Sequence, residues 1–410
     1  MTVPAIFARI GEETERQWRA AHYDDRAFAG IACEVLGRFA SRVPAAWKAL
    51  EWVASAATLP HQQDPHSTFG DLAVTVWNGP RFQLDLYWWL EGSTSIHQHM
   101  FSGAFCVLEG SSFHSRYRFR ERARVTTHLR LGDLELADVE LLERGALRPI
   151  ESGEALVHAL FHLDHPSVTL CLRTHEDDGT GPQWNYEWPG LATDPFFVDP
   201  VTRKREQLVR LVRRAGDARG TALVEKLVEA SDLETALRVL AALYPGRSAK
   251  SGDAFTARGE PEVVWDSVVA AARRRHGRRA GVLLAVLAER ERIVDLTRRR
   301  AAITRADHRF FLALLLNVRD RARFLALVRR RFPRRDPVQT VVNWARELGA
   351  GEANALGLPD AGPELFAVLA GLLAGEDEPT LARRLSHEAR ALARALRAAH
   401  AFSALLSHAR

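Results

Sequence analysis

The sequence predicts an α+β protein, in which an antiparallel β-barrel follows N-terminal helices and precedes an all-α half. Short alternating apolar runs with Gly-containing turns fill roughly residues 70–176, which is typical of a sandwich or small barrel. Apolar residues recur at three- and four-residue spacing in residues 1–60 and again after residue 200. Eight of ten tryptophans and eleven of sixteen histidines lie in residues 1–200. We therefore expect two domains, 1–200 with the barrel and 201–410, which is Arg/Ala/Leu-rich and all-helical.

The elements of the first half are predicted in order from their periodicity. ARIGEETERQWRAAH and DRAFAGIACEVLGRFASR predict two helices, and the Pro- and Asp-containing stretch 60–71 predicts a loop. DLAVTVWNGPRFQLDLYWWLEG then contains two β-type runs joined by NGP, which indicates a hairpin. Alternation in the second run places four apolar residues on one face: Phe82, Leu84, Leu86 and Trp88.

The later elements follow from the same patterns. Further strands are predicted up to PSVTLCLRTHE, and the aromatic- and Pro-rich stretch 182–200 is expected to be extended and to cover an edge or mouth of the barrel. From residue 203 onward the periodicity is helical, with a loop at 251–261 and a helix stop at PRRDP. The last segment, TLARRLSHEARALARALRAAHAFSALLSHAR, reads as one Ala/Leu/Arg helix.

Composition excludes several classes of protein. Hydrophobic residues make up 47% and charged residues 26% of the chain, as in globular proteins. The sequence lacks both the long apolar run of a membrane span and the basic-then-apolar start of a secretory signal. Its three cysteines are Cys33, Cys106 and Cys171, which are too few and too distant for a disulfide framework. We therefore expect a cytoplasmic protein without membrane contact.

Two histidines, His97 and His99, occupy one predicted strand in the sequence IHQH. Residues i and i+2 of a strand point to the same face, so both imidazoles would project into one space. Neutral imidazoles arranged in this way can bind one metal ion, although a bare pair more often forms hydrogen bonds on a sheet face. A second histidine-bearing segment, GEALVHALFHLDHPSVTLCLR, occupies 153–173. The two segments together favour a metal site.

This two-segment layout resembles the cupin family, small antiparallel barrels of jelly-roll type that hold a metal at their mouth. Most metal-binding cupins carry a glutamate shortly after the second histidine, but here those positions are Gly103 and Ala104. The cysteine dioxygenase group of thiol dioxygenases has a three-histidine site without that glutamate. NGPRFQLDLYWWLEGSTSIHQH and HALFHLDHPSVTLCLR resemble the two ligand segments of that group. The resemblance covers roughly residues 70–176.

The resemblance implies that His97, His99 and His158 bind a mononuclear iron(II). His162 is the alternative third ligand, because it lies four residues after His158 and could share its face. Whichever of these two is not a ligand is expected to orient a ring near the site through a hydrogen bond. Three neutral ligands leave positions on the ion for substrate and oxygen. Zinc, manganese and nickel stay open as alternatives, because imidazole suits several metals.

The substrate-holding residues of the thiol dioxygenases are not matched here. Their carboxylate-binding arginine falls near Asp71, and the nearest arginine, Arg81, lies beyond the turn. The position of a tyrosine that some members link to cysteine falls at Arg173, whose guanidinium could bind a carboxylate bidentately. We predict Arg173 and Tyr87 as catalytic residues that contact the substrate, and free cysteine is not favoured as that substrate. Weaker candidates on predicted strands are His114, Arg116 and Tyr117.

The preferred function is a mononuclear non-heme iron oxygenase that acts on a small thiol, another small metabolite or a peptide side chain. The alternative is a non-catalytic metal- or ligand-binding cupin whose helical half is a protein-interaction domain. A cupin isomerase or hydrolase that uses another metal is a third hypothesis. The second and third hypotheses are motivated by the absence of the substrate-holding residues of the thiol dioxygenases.

The helical half is strongly basic. Residues 201–410 hold 39 Lys and Arg against 24 Asp and Glu, whereas residues 1–200 hold 17 against 27. Basic runs such as ARRRHGRRA suit nucleic acid, but no helix-turn-helix or zinc-finger pattern accompanies them, so nucleic acid is disfavoured as a partner. The simplest expectation is that the basic helices face water and in part the acidic first half; an acidic protein partner stays open as an alternative, and the chain could also form a homodimer.

Overall fold

The computed structural model describes residues 3–67, 69–90, 92–215, 218–244, 262–349, 354–359 and 362–406. The chain divides into two compact units, the N-terminal unit Met1–Asp199 and the C-terminal unit Pro200–Arg410. The loop predicted at 251–261 lies outside the described residues.

The N-terminal unit begins with helices, as the periodicity predicts. They are α1 (Val3–Ala20), α2 (Asp25–Phe39), a short 3₁₀ turn (Ala40–Arg42) and α3 (Ala46–Ser55). Asp24 caps the N-terminus of α2, since its carboxylate accepts a hydrogen bond from the backbone N–H of Arg26. All three helices precede the first strand.

Strands and turns fill the rest of the N-terminal unit. The strands are β1 (Leu72–Asn78), β2 (Phe82–Trp89), β3 (Ile96–His99), β4 (Gly103–Glu109), β5 (Ser112–Thr126), β6 (Leu129–Leu142), β7 (Leu147–Ile150), β8 (Gly153–His162), β9 (Ser167–Thr174), β10 (Asn185–Glu187) and β11 (Leu191–Thr193). One sheet has five strands in the order β1-β2-β9-β4-β7, and six strands close a barrel in the order β10-β11-β6-β5-β8-β3. The predicted hairpin is present as the antiparallel pair β1–β2.

The fold class is therefore confirmed as an antiparallel barrel with N-terminal helices and a helical second half. The barrel extends beyond its predicted end near residue 176. The stretch 182–200 supplies β10 and β11, which pair with β3 and β6 and so complete the closed sheet. These strands have three residues each, which is too short for alternation to show in the sequence.

The two faces of β2 have different roles. Its apolar face, which includes Phe82 and Leu84, is fully buried in one cluster with Phe7 of α1 and Phe28 of α2. The N-terminal helices therefore cover the outer face of the five-stranded sheet. Tyr87 belongs to the opposite face of β2 and packs against a second cluster that combines residues of both sheets. This inner face of β2 borders the space in which the histidines lie.

The C-terminal unit is all-helical in its described residues, as predicted. Its helices are α4 (Pro200–Ala215), α5 (Ala218–Ala230), α6 (Leu233–Leu243), α7 (Glu262–His276), α8 (Arg278–Arg298), α9 (Ala306–Asn317), α10 (Arg321–Arg331), α11 (Pro337–Gly349), α12 (Gly362–Ala374), α13 (Glu378–Arg384), α14 (Ala389–Ala398) and α15 (His400–Leu406), with a 3₁₀ turn at Arg299–Ala302. Buried arginine side chains satisfy helix ends, since Arg292 donates to the carbonyls of Leu315 and Leu316 near the end of α9. No described helix has the length and apolar content that crossing a bilayer requires.

The final segment is not the single helix that its composition predicts. It forms α13, α14 and α15, with a break after Leu385. At the break, the hydroxyl of Ser386 accepts a hydrogen bond from the backbone N–H of Glu388 and donates to the carboxylate of Glu364 on α12. This side-chain bonding competes with helix continuation, which residue composition alone does not reveal.

Candidate metal centre

The structure brings His97, His99 and His158 together. His97 and His99 lie on β3, and His158 lies on β8 directly opposite His97. One ring nitrogen from each histidine falls within 4.8 Å of the other two. The Nε2 atoms of His99 and His158 are 2.8 Å apart, and all three side chains are buried. This is the arrangement that the two histidine-bearing segments predict.

The ring nitrogens fit a metal ion. Nδ1 of His97 lies 2.8 Å from the backbone carbonyl of Ser95, so Nδ1 carries the proton and Nε2 presents a lone pair. That Nε2 is buried without a hydrogen-bond partner among the described residues. A buried polar atom in this state is unfavourable unless something else satisfies it, and a metal ion would do so.

A hydrogen-bonded chain fixes the tautomer of His158. Its Nδ1 lies 2.9 Å from Nε2 of His114, whose Nδ1 lies 2.9 Å from Oε1 of Glu140. A carboxylate only accepts, so Nδ1 of His114 donates to Glu140. A neutral imidazole carries one N–H, so Nε2 of His114 accepts and Nδ1 of His158 donates to it. Nε2 of His158 therefore presents its lone pair toward His99. Arg148 completes the chain by pairing with the carboxylate of Glu140.

Electrostatics keep the three clustered imidazoles neutral. Burial lowers the pKa of His97, and it lowers those of His99 and His158 well below the ordinary value. A neutral imidazole can bind a metal ion without first losing a proton. In contrast, hydrogen bonds from His114 and Arg148 lower the pKa of Glu140, so this carboxylate is ionised.

His162, the alternative third ligand, lies outside the group of three histidines. By strand alternation it shares a face of β8 with His158, but four residues further along. Its Nδ1 lies 2.9 Å from the hydroxyl of Ser112, and its ring stacks on Trp89 with centroids 4.3 Å apart. The structure thus places His162 against the wall of the site, where it supports Trp89.

An apolar cavity adjoins the histidines. Its volume is ≈ 50 Å³, and five aromatic side chains contribute to its wall: Phe69, Tyr87, Trp89, Phe101 and Phe105. Phe69 lies at the mouth, where it is 41% exposed. Its ring meets those of Trp89 and His97 edge-on, with centroids 5.1 and 6.1 Å away. The cavity is therefore apolar and has room for a ligand of only a few non-hydrogen atoms.

The two predicted substrate contacts lie at different distances from this cavity. Tyr87 lines it and donates a hydrogen bond to Asp85 at 3.1 Å. Arg173 lies behind Phe101, with its guanidinium 4.5 Å from the centre of that ring. Its Nε donates to Oδ2 of Asp85 at 3.1 Å. Arg81 does not line the cavity, and its guanidinium stacks on Tyr23.

The absence of a glutamate ligand has a structural cause. A Cβ atom at Gly103 would lie 2.1 Å from the backbone oxygen of Leu172 on β9, so β4 and β9 leave no room for a side chain there. Ala104 is fully buried on the other face, in the cluster with the N-terminal helices. Neither position can present a carboxylate to the histidines.

Several residues of the site were not predicted from the sequence. Trp89 could have been identified, because alternation in FQLDLYWW places it on the same face as Tyr87. Glu140 had no local signal, since only the pairing of β5 with β6 brings it opposite His114. Phe69 lies in a loop, where no periodicity indicates direction. The role of Asp85 likewise depends on its partners, which come from β1 and β9.

Comparisons with known proteins give structural similarity only. No family model and no curated protein matches this sequence. The chain is similar to a cupin-2 domain containing protein from Shewanella frigidimarina, with 15% identity over 26% of this chain and 82% of that chain and a TM-score of 0.18. It is also similar to hydroquinone 1,2-dioxygenase from a Sphingomonas species, solved with 4-hydroxybenzoate bound, with 9% identity over 26% of this chain and 68% of that chain and a TM-score of 0.21. A third structure is the capsular polysaccharide assembling protein CapF from Staphylococcus aureus, with 16% identity over 30% of this chain and 32% of that chain and a TM-score of 0.20.

Proposed function

We propose that the N-terminal unit is a cupin-type barrel and that the protein is a mononuclear non-heme iron oxygenase, related in its site to the thiol dioxygenases. The observation that carries this proposal is the convergence of three buried histidines whose ring nitrogens lie within 4.8 Å of one another. His97 supports it further, because its Nε2 lacks a hydrogen-bond partner among the described residues. Three neutral nitrogen ligands suit several metals, iron among them, and the resemblance to the thiol dioxygenases favours iron(II) with open positions.

Iron(II) held by these histidines would supply oxygen activation and a binding position for one anionic atom of the substrate. The chain's own residues prepare the site. His114 and Glu140 hold the ring of His158 in a fixed orientation. The aromatic side chains make the cavity wall largely apolar. Burial and the neighbouring Asp85 raise the pKa of Tyr87 well above its ordinary value, so its hydroxyl stays protonated at the cavity wall.

The second candidate is a non-catalytic metal- or ligand-binding cupin whose helical half contacts a protein partner. One observation favours it: Arg173, the predicted substrate contact, donates to Asp85 instead of lining the cavity. Under this alternative the protein binds the same metal but turns over no substrate. Zinc, manganese or nickel could fill the same three-nitrogen site.

Metal analysis after expression without metal supplementation tests the proposal. We expect about one iron per chain, and oxygen uptake when a panel of small thiols is added. The variant with both His97→Ala and His99→Ala should contain no stoichiometric metal, whereas Asp138→Asn, which changes an exposed carboxylate paired with Arg116, should keep it. Full metal content in the double histidine variant would overturn the proposal. Stoichiometric metal without oxygen uptake would favour the non-catalytic alternative.

A further inference from the structure

We infer that Asp85 is a specificity-determining residue. By holding Arg173, it closes the cavity beside the histidines to carboxylates and restricts it to ligands with an uncharged, apolar body. The inference rests on the proposed function and narrows its substrate class. The expected ligand gives the metal one anionic donor atom, such as a thiolate, and carries no second charge.

Asp85 is the centre of a buried polar cluster on the inner face of β2. The residue is 3% exposed, and its carboxylate accepts from the hydroxyl of Thr75 at 2.7 Å and from the amide of Gln83 at 2.8 and 2.9 Å. It also accepts from the hydroxyl of Tyr87 and from Nε of Arg173, both at 3.1 Å. A buried carboxylate is tolerated when donors surround it in this way.

Arg173 lies close enough to the site to act on a ligand. Its guanidinium rests 4.5 Å from the ring centre of Phe101, and that ring centre lies 4.5 Å from the ring centre of His99. An uncompensated guanidinium at this position would attract a carboxylate in the cavity. Asp85 already accepts from Nε and supplies the opposite charge, so the charge of the guanidinium is compensated and its Nε edge is not available for a bidentate contact.

The described residues of the cavity wall supply no acidic or basic side chain other than histidine. Thirteen described residues line the cavity, and none of them is a lysine, arginine, aspartate or glutamate. A ligand whose thiolate binds the metal would therefore bury its carboxylate without a charged side chain to pair with it, which is strongly unfavourable. An apolar ligand body would instead pack against side chains such as Trp89, Phe105 and Leu160.

Two thiols of similar size test this inference on the cobalt(II)-loaded full chain: butanethiol, and mercaptopropionate, which adds a carboxylate. Cobalt–thiolate absorption and calorimetry report binding without turnover. Wild-type protein should bind butanethiol about tenfold more tightly or better. Asp85→Asn removes the compensating charge, so the affinity for mercaptopropionate should rise about tenfold while that for butanethiol stays within about twofold. Asp138→Asn is the matched control and should leave both affinities as in wild type.

Asp85→Asn leaves Arg173 without its partner and could fold poorly, so a second variant tests the inference independently. Arg173→Gln should not weaken mercaptopropionate binding, because wild-type Arg173 does not contact the ligand. Equal affinities of the wild type for both thiols would overturn the inference, as would loss of mercaptopropionate binding in Arg173→Gln. Metal content is measured first. Protein that takes up no metal contradicts the proposed function itself, whereas metal-loaded protein without selectivity contradicts only the role of Asp85.

Discussion

His158 donates a hydrogen bond from Nδ1 to Nε2 of His114 over 2.9 Å, so a second histidine buried in the sheet holds the ring of the proposed ligand. The bond links β8 to β5 and continues through Glu140 on β6. Three strands of the barrel therefore determine the direction in which one lone pair points. A metal site built in this way depends on residues that never touch the metal.

The first prediction concerns the hydrogen bonds by which His114 orients His158. His114→Phe removes both hydrogen bonds of the bridge but keeps a ring, so the ring of His158 loses its orientation. We expect the affinity for the metal to fall about 10–100-fold. Competition with a chromophoric chelator measures this affinity, and Asp138→Asn serves as the control. Unchanged affinity in His114→Phe would show that packing alone orients His158.

The second prediction separates the two candidates for the third ligand. His158→Gln removes a nitrogen from the group of three, so bound metal should fall to background. His162→Gln leaves that group intact and can keep a hydrogen bond to Ser112, so about one metal per chain should remain. Metal content of both purified variants decides the question. The opposite pattern would make His162 the ligand.

The third prediction is a pH dependence carried by Glu140. Its pKa is lowered from 4.5 in the folded protein by hydrogen bonds from His114 and Arg148. As pH falls below about 4.5, the unfolded chain binds a proton at this position and the folded chain does not, so stability decreases. Glu140→Gln removes this proton uptake. Urea unfolding at a series of pH values below 4.5 should show a shallower loss of stability in Glu140→Gln than in wild type.

The fourth prediction concerns two buried thiols. Burial raises the pKa of Cys106 to about 11 and that of Cys171, on the cavity wall, to about 12. The thiolate is the reactive form, so neither residue should be alkylated by iodoacetamide in native protein at neutral pH. Mass spectrometry of native and urea-unfolded samples measures this. Rapid native labelling of Cys171 would show that its thiol is activated.

The fifth prediction tests the close approach of β4 and β9. Gly103→Ala forces a Cβ atom against the backbone oxygen of Leu172, so it should destabilise the fold by about 1–3 kcal/mol. Gly30→Ala is the matched control, because nothing lies within 4 Å of the added atom and position 30 is inside α2. It should be neutral or stabilising. Urea unfolding measures both, and equal stability of the two variants would contradict the predicted clash.

Local periodicity in the sequence is sufficient to predict much of the fold. Alternation predicted that Phe82 and Leu84 share one face of β2, and spacing predicted that His97 and His99 project together. Both inferences need only the geometry of a single strand. The barrel and the helical half followed from the same reasoning applied segment by segment. Such patterns can be recognised in a single sequence because they repeat within a few residues.

The residues that orient the proposed metal ligands and Arg173 could not be predicted from local periodicity. Glu140 meets His114 only through the register of β5 and β6, and that register contains shifts that no local pattern encodes. Asp85 meets Arg173 because β2 and β9 are neighbours, although they are far apart in the sequence. Residues of this kind are defined by pairing between strands. A proposed metal-binding histidine can therefore be recognised within its own strand, whereas the carboxylate that orients it is recognised only from the pairing of strands.

The N-terminal helices also restrict how copies of this chain can assemble. They seal the outer face of the five-stranded sheet, where Val168, Leu170 and Leu172 are fully buried together with residues of α1 and α2. A second copy cannot stack on that face without displacing the helices. A homodimer formed through the N-terminal unit would have to use the exposed surface of these helices, the sheet edges or the outer surface of the six-stranded barrel. Quaternary structure is thus limited by the first forty residues, which contribute no ligand to the proposed metal.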